Sequence, residues 1–181
     1  DAIVEHYRVV ASAAELPFFV YNVPQWTQVE ITPNLMQKIK EKVPQLVGLK
    51  HSAPYIGPIR QFCKMGLCCM MGNSRLMLPA LMMGASGCID GPPGMVPEIF
   101  VDIWDSFQSG NFKQSRESQE KGAQVGALVE NTKMHAYYKA FIGKRLGIDC
   151  GQPRPPFEGL TSSEKDELSK LMIQMKIKTL P

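Results

Sequence analysis

Short apolar runs alternate with amphipathic stretches along the first half of the chain. The runs at 17–21, 46–50, 68–72 and 88–90 predict four strands, and residues 2–14, the stretch after Thr32-Pro33, 58–65, 75–83 and 97–109 predict helices. Thr32 and Pro33 are typical of an N-cap and a first helical position. Gly91-Pro92-Pro93-Gly94 predicts a rigid loop. Strands and helices that alternate at this spacing predict an α/β fold with a parallel sheet.

After about residue 110 the pattern predicts helices only. Residues 111–131 and 133–146 read as two helices, and Thr161 and Glu164 have the spacing of a capping box that starts a third. We expect a solvated helix face formed by Lys133, Lys139, Lys144 and Arg145. The predicted organisation is therefore a unit of strands and helices at 1–109 and a helical extension at 110–181.

Two of the apolar runs end in side chains that can exchange protons. Lys50 closes the run that starts at Leu46, and Tyr21 closes the run that starts at Phe18. The carboxyl ends of parallel strands meet at one edge of the sheet, where a parallel barrel has its active site. An amine held in apolar surroundings is favoured as the neutral base, which can attack a carbonyl carbon. The alternative is a lysine that reaches from the strand end to solvent, and Tyr21 favours the chemical interpretation.

Composition and charge exclude several function classes. The net charge is +3 and the basic residues are scattered, which does not favour nucleic-acid binding. No apolar run approaches 18 residues, so no transmembrane helix is predicted. The five cysteines match no C-x-x-C or zinc spacing, and we predict neither a metal site nor a disulfide. Together with the lack of an export signal, this favours the cytoplasm.

The start of the chain predicts that it belongs to something longer. Residue 1 is Asp and not Met, and the predicted first helix begins at residue 2. We therefore expect the chain to start partway through a larger protein.

A longer motif surrounds Tyr21 and Lys50. The segment Tyr21-Asn22-Val23-Pro24-x-x-Thr27, followed by Leu46-Val47-Gly48-Leu49-Lys50-His51-Ser52, resembles the dihydrodipicolinate synthase / N-acetylneuraminate lyase family. These are class I, Schiff-base aldolases and lyases on (β/α)8 TIM barrels. Gly72 and the segment 81–89 add to the resemblance. It implies that the four strands are the fifth to eighth of the barrel, followed by a C-terminal helical segment, in a cytoplasmic homo-oligomer.

The resemblance also implies roles for individual residues. Lys50 would form the Schiff base with pyruvate or a related 2-oxo acid, and Tyr21 would move protons at the substrate carbonyl and hydroxyl. Ser52 and Gly72 would line the pocket for the second substrate, an aldehyde. No metal ion and no other cofactor would be required.

Four residues depart from the pattern of the family: Trp26, Ser74, Arg75 and Asp90. Trp26 stands where the dihydrodipicolinate synthase branch has a carboxylate-binding arginine, which argues against that synthesis. Ser74 and Arg75 stand where the sialate-lyase branch has an acidic pair, which argues against sialic acid. Arg75 either binds an acidic substrate tail or is an exposed first-turn arginine. Asp90 is either a pocket acid or a cap at a strand end.

The resemblance leaves part of the site outside these residues. The Gly-Thr-Thr/Ser-Gly-Glu motif of the family, which binds the pyruvate carboxylate, and the second tyrosine of its proton relay belong to the first half of the barrel. One alternative is therefore a non-catalytic, truncated half-barrel that pairs with another chain. Another is a hydro-lyase or hydratase-aldolase branch with an aromatic substrate, which Trp26 would stack on.

Overall fold

The computed structural model describes residues 1–179, and the chain divides into two compact units after Asp90. The first unit alternates helices and strands as the sequence pattern predicts. Its elements are α1 (Ala2–Ala11), β1 (Phe18–Asn22), α2 (Pro24–Thr27), α3 (Pro33–Lys42), β2 (Leu46–His51), α4 (Ile59–Lys64), β3 (Cys68–Met71), a 3₁₀ helix (Ser74–Leu76), α5 (Met77–Met82) and β4 (Gly87–Cys88). The predicted cap of α3 is confirmed, since Thr32 Oγ1 accepts from Leu35 N at 3.2 Å.

The four strands form one parallel sheet in the order β1-β2-β3-β4. This confirms the predicted α/β class with a parallel sheet. Within residues 1–179, β1 and β4 each pair with a strand on one side only. The first unit therefore presents two unpaired strand edges.

The two faces of this sheet differ in burial. Val20 and Leu49 are fully buried, and they belong to a core with Met36, Ile39 and Phe62 of the helices. Burying a side chain of this size stabilises the fold by roughly 1.5–3 kcal/mol. Side chains alternate between faces along a strand, so Tyr21 and Lys50 lie on the opposite face.

Gly48 permits close packing on the face that carries Tyr21 and Lys50. A Cβ at this position would lie 2.5 Å from the Phe19 ring and 2.3 Å from Cys68 O. Neither distance is tolerable for a carbon atom, and the Cys68 oxygen is backbone. We infer that any side chain at residue 48 would force β3 away from β2 and would displace the Phe19 ring.

Two short helices differ from the sequence prediction. Residues 92–95 form α6 (Pro92–Met95), so the prediction of a rigid loop there was wrong, and α2 stands where no helix was predicted. Both helices have proline in their first positions. Proline presets the helical φ and lacks only an N–H that would be unpaired there. In both places a proline therefore starts a helical turn.

In the described part of the second unit, from Gly91, every regular element is a helix. The unit contains α6, α7 (Pro97–Gln108), α8 (Phe112–Leu128), α9 (Met134–Leu146) and α10 (Ser162–Gln174). The predicted capping box is confirmed at the start of α10, where Thr161 and Glu164 bond reciprocally. The Lys133 ammonium lies 2.8 Å from Glu164 and, with the Thr161 bonds, lowers the pKa of that carboxyl to about 2. The predicted division at residues 109 and 110 stays a prediction.

Arg145 corrects the prediction of a solvated basic face on α9. Its side chain is buried, and it donates from Nη1 to Met95 O at 2.6 Å and from Nη2 to Glu98 Oε2 at 2.8 Å. Met95 ends α6, where backbone carbonyls lack partners within the helix. The guanidinium is therefore held by the second unit's own acceptors and does not face solvent.

Across residues 1–179, none of the helices combines the length and the apolar composition that crossing a membrane requires.

Candidate active site

Tyr21 and Lys50 meet at the carboxyl ends of β1 and β2. They are register partners in the parallel pair, and Lys50 Nζ lies 4.4 Å from the centroid of the Tyr21 ring. Lys50 is half-buried and Tyr21 is 39% exposed. An ammonium at this distance over a ring face makes a cation–π contact. The arrangement fixes the amine beside a phenol, on the sheet face that is open to solvent in this chain.

Ser52 and Gly72 adjoin this pair. Ser52 Oγ lies 3.4 Å from both Tyr21 Oη and Gly72 O, which is long for a hydroxyl donor. A Cβ at residue 72 would lie 1.9 Å from Ser52 Oγ. The glycine therefore makes room for the hydroxyl, and the structure brings together four of the seven predicted site residues.

Cys88 was not predicted as part of this site. Burial and, to a smaller extent, the Asp90 carboxylate raise the pKa of its thiol to about 12, against the opposing effect of the Lys50 ammonium. The thiol is therefore neutral near pH 7. Its position in the last strand gave no signal of its own, since a cysteine in an apolar run reads as core.

Asp90 and Arg75 lie near the 3₁₀ helix after β3. Asp90 Oδ2 accepts from Ser74 N at 2.7 Å, which places the carboxylate at the first residue of that helix. The contact is with the start of a helix and not with a strand end, so both alternatives for Asp90 stay predictions. Arg75 is exposed in the same turn. A substrate contact stays a prediction for both.

Trp26 is 77% exposed on α2. Gln25, its neighbour in α2, donates from Nε2 to Ser52 O at 3.1 Å. The short helix is thus tied to the residue that follows β2, next to the Tyr21–Lys50 pair. The indole is available to a ligand at this end of the sheet.

A buried polar pair that sequence reasoning missed lies one residue beyond Tyr21 and Lys50. Asn22 and His51 are fully buried register partners, with Asn22 Nδ2 3.2 Å from His51 Nδ1. His51 Nε2 lies 2.9 Å from Tyr55 O, an atom that only accepts, so Nε2 carries the proton and Nδ1 accepts from Asn22.

The amide of Asn22 also holds the loop before α3. Ile31 N donates to Asn22 Oδ1 at 3.0 Å, and Asn22 Nδ2 lies 3.3 Å from Ile31 O. Asn22 and His51 thereby link β1, β2 and two loops directly behind the candidate catalytic side chains. A signal was present in the sequence, since both residues stand inside the motif, each directly after a candidate catalytic residue.

The described residues contain no group of three or more His, Cys, Asp or Glu side chains that could hold a metal ion. All five cysteines are free thiols. The side chains that meet at the strand ends are the Lys50 amine, the Tyr21 phenol and the Ser52 hydroxyl.

Comparison with known proteins identifies a family. The model of the dihydrodipicolinate synthetase family matches residues 1–175. An uncharacterized DapA-like lyase of Halobacterium salinarum is 29% identical over 170 residues, which cover 92% of this chain and 55% of that protein. The 4-hydroxy-tetrahydrodipicolinate synthase of Corynebacterium diphtheriae is 29% identical over 175 residues, which cover 95% of this chain and 57% of that protein.

A solved structure agrees with the fold. The catalytic lysine mutant of the Ruminococcus gnavus sialic acid aldolase superposes with a TM-score of 0.87 at 23% identity, covering 99% of this chain and 61% of that one. The chain thus spans little more than half the length of the relatives it matches. Four parallel strands with their helices are half of the eight that a (β/α)8 barrel contains.

Proposed function

Since this chain belongs to the dihydrodipicolinate synthetase family, we propose that it carries the catalytic lysine of a class I lyase or aldolase. The substrate is pyruvate or a related 2-oxo acid, and the reaction makes or breaks a carbon–carbon bond. The observation that carries the proposal is the placement of Lys50 Nζ over the Tyr21 ring at two adjacent strand ends. That a solved relative is described by its catalytic lysine adds support.

The proposed reaction uses Lys50 as the nucleophile. The ammonium releases a proton, and the neutral amine attacks the ketone carbon and expels its oxygen as water, which leaves an imine. The protonated imine withdraws electrons from the adjacent carbon, which loses a proton to give an enamine. The enamine carbon then adds to the carbonyl carbon of an aldehyde, whose oxygen takes up a proton. The reverse sequence cleaves the bond, and water then hydrolyses the imine and frees Lys50.

The proposed role of Tyr21 is to move the protons of this sequence. Its phenol lies beside the amine, and the Ser52 hydroxyl is 3.4 Å from Tyr21 Oη. We propose that these two hydroxyl groups accept the proton that the amine releases and donate a proton to the departing oxygen.

Tyr21→Phe is expected to lower turnover in an active form of the protein by roughly 10²-fold or more, the scale of a positioned proton-transfer group. The measurement is steady-state turnover of a 2-oxo acid and its aldehyde partner. Tyr55→Phe is the matched control, because the Tyr55 ring is 72% exposed and lies in a loop. Equal turnover in wild type and Tyr21→Phe would limit Tyr21 to packing at the strand end.

Trp26 is proposed to select the aldehyde. An indole offers a flat apolar surface and cannot make the bidentate contact that a guanidinium makes with a carboxylate. An acceptor without a carboxylate, including an aromatic one, therefore fits this position better than aspartate semialdehyde. Its exposure of 77% on α2 favours the hydratase-aldolase alternative with a ring-bearing substrate.

Trp26→Arg is expected to increase the rate with aspartate semialdehyde by about tenfold or more, since one charge-assisted bidentate contact contributes about 1.5–3 kcal/mol. Trp26→Leu is the control, because it removes the ring without adding a charge. The comparison of kcat/KM across an aldehyde panel measures the effect. A wild type that already uses aspartate semialdehyde efficiently would contradict this assignment.

The function as a whole is tested by borohydride trapping. The longest expressible form that contains these residues is incubated with single 2-oxo acids, reduced with borohydride and analysed by intact mass. Pyruvate or a close relative is expected to add the mass of one reduced imine per chain. If no 2-oxo acid gives an adduct, the proposal of a Schiff-base lyase fails.

We further propose small-molecule substrates, a homo-oligomeric assembly and a cytoplasmic location for the whole protein. The two unpaired strand edges support association with further protein, whether this is a longer form of the chain or a second chain. A non-catalytic half-barrel remains the second candidate, and the same edges support it. The trapping experiment separates the two, since a non-catalytic chain gives no adduct.

A further inference from the structure

The second unit contains a pocket that the proposed lyase chemistry does not use. It has a volume of about 300 Å³, the lower end of the range for small-molecule sites. It lies between α9, the loop at 147–153 and α10. We name it the basic pocket, after the three lysines among its lining residues: Lys139, Lys144 and Lys165.

The floor of the basic pocket is apolar. Ala136 and Leu168 are buried in it, and Ala140 and Leu160 also line it. Gly143 allows this geometry, because a Cβ there would lie 2.8 Å from Ile148 O and would push the loop away from α9. The pocket is thus formed by packed elements and is not a gap between surface side chains.

The rim of the basic pocket carries a positive charge. The lining residues that the structure describes include three lysines and only one carboxylate, that of Asp149. This carboxylate accepts a hydrogen bond from Gly151 N at 2.7 Å. Lys139 Nζ donates to Cys150 O at 2.7 Å, and Lys144 Nζ donates to Ser169 Oγ at 2.5 Å. An ammonium has three N–H donors. Among the described residues, each of these two lysines uses one with a protein acceptor, so two donors on each remain for a ligand.

We propose that the basic pocket binds a small organic anion, with an apolar body on the Ala and Leu floor and a carboxylate or phosphate head between the lysines. An inorganic ion is not the best ligand, because the apolar floor offers no hydrogen bonds to replace the water that the ion would lose on burial. The positive rim excludes a cationic or neutral ligand of the same shape. This site is independent of the Schiff-base chemistry, since every residue that lines it lies in the second unit.

Calorimetric titration of the longest soluble form that contains residues 1–181 tests this site. The probes are benzoate, phenyl phosphate, inorganic phosphate and benzyl alcohol. Benzoate or phenyl phosphate is expected to bind more tightly than inorganic phosphate or benzyl alcohol, by about tenfold or more. Inorganic phosphate lacks the apolar ring, and benzyl alcohol lacks the negative charge. Whichever of the two acids binds more tightly identifies the head group. Equal or absent binding of all four probes overturns the proposal.

Three variants locate the binding. Lys165→Gln is expected to raise the dissociation constant about tenfold, the value of one charged hydrogen bond. Lys170→Gln, in the same helix and outside the pocket, is the matched control and is expected to change it less than twofold. Ala140→Leu fills the floor and is expected to abolish binding, with circular dichroism as the check on folding. If Lys165→Gln and Lys170→Gln weaken binding equally, the attraction is general charge and the pocket is not the site.

Discussion

Lys50→Ala is expected to abolish the borohydride adduct with pyruvate and to lower turnover by about 10⁴-fold or more, as removal of a nucleophile does. The reason is that the Lys50 amine is the one placed over the Tyr21 ring, at the ends of β1 and β2. Peptide mapping of the trapped wild type is expected to find the added mass on Lys50 alone. The measurement is intact and peptide mass spectrometry, with turnover in an active form.

Two further variants sharpen the Lys50 experiment. Lys50→Arg keeps a cation over the Tyr21 ring but cannot form an imine, so it separates the charge from the nucleophile. Lys38→Ala is the matched control, because Lys38 is exposed on α3. An adduct that persists in Lys50→Ala would mean that another amine is the nucleophile.

The 181-residue polypeptide by itself is expected to form dimers, higher oligomers or aggregates, with little or no lyase activity. Its parallel sheet ends at β1 and β4 without further strands in the described residues, and unpaired edges recruit other chains. Phe19, in edge strand β1, is 42% exposed on the same face as Tyr21. Parallel sheets are ordinarily covered on both faces. Light scattering after gel filtration measures the assembly.

A segment with the first four strands of a relative, added in trans, is expected to restore order and activity together. Phe19→Lys is expected to reduce self-association, because a charged residue on an edge strand opposes pairing. Phe112→Lys is its control, since Phe112 is 56% exposed on α8 in the other unit. A monodisperse, cooperatively folded monomer that cleaves a 2-oxo acid at ordinary enzyme rates would refute this expectation.

The sequence predicted the strands and the capped helix starts well because their signals are local. Apolar runs marked all four strands, and hydroxyl caps marked the starts of α3 and α10. The proximity of Tyr21 and Lys50 could be predicted from the sequence, because parallel strands have their carboxyl ends at the same edge of the sheet whatever the conformation of the loops.

The features that the sequence did not predict depend mainly on contacts between residues that are distant along the chain. Burial of Arg145 requires the end of α6 to lie beside α9, and nothing near residue 145 encodes that. The proximity of Cys88 to the Lys50 charge requires the order of the sheet. The helices at Pro24 and Pro92 were missed for a different reason, because proline and glycine signal both turns and helix starts.

The buried Asn22–His51 pair makes the strand ends sensitive to acid. Burial lowers the pKa of His51 from its ordinary value of 6.5, against the opposing effects of the Tyr55 carbonyl and Glu30. Between pH 6.5 and the lower pKa of the folded state, His51 is therefore protonated in the unfolded chain but not in the folded chain. Over this range the free energy of unfolding falls by up to about 1.4 kcal/mol for each pH unit of acidification. A protonated Nδ1 would also face the Asn22 amide with donor against donor. Acidification would thus break the side-chain link between β1 and β2, one residue beyond Tyr21 and Lys50.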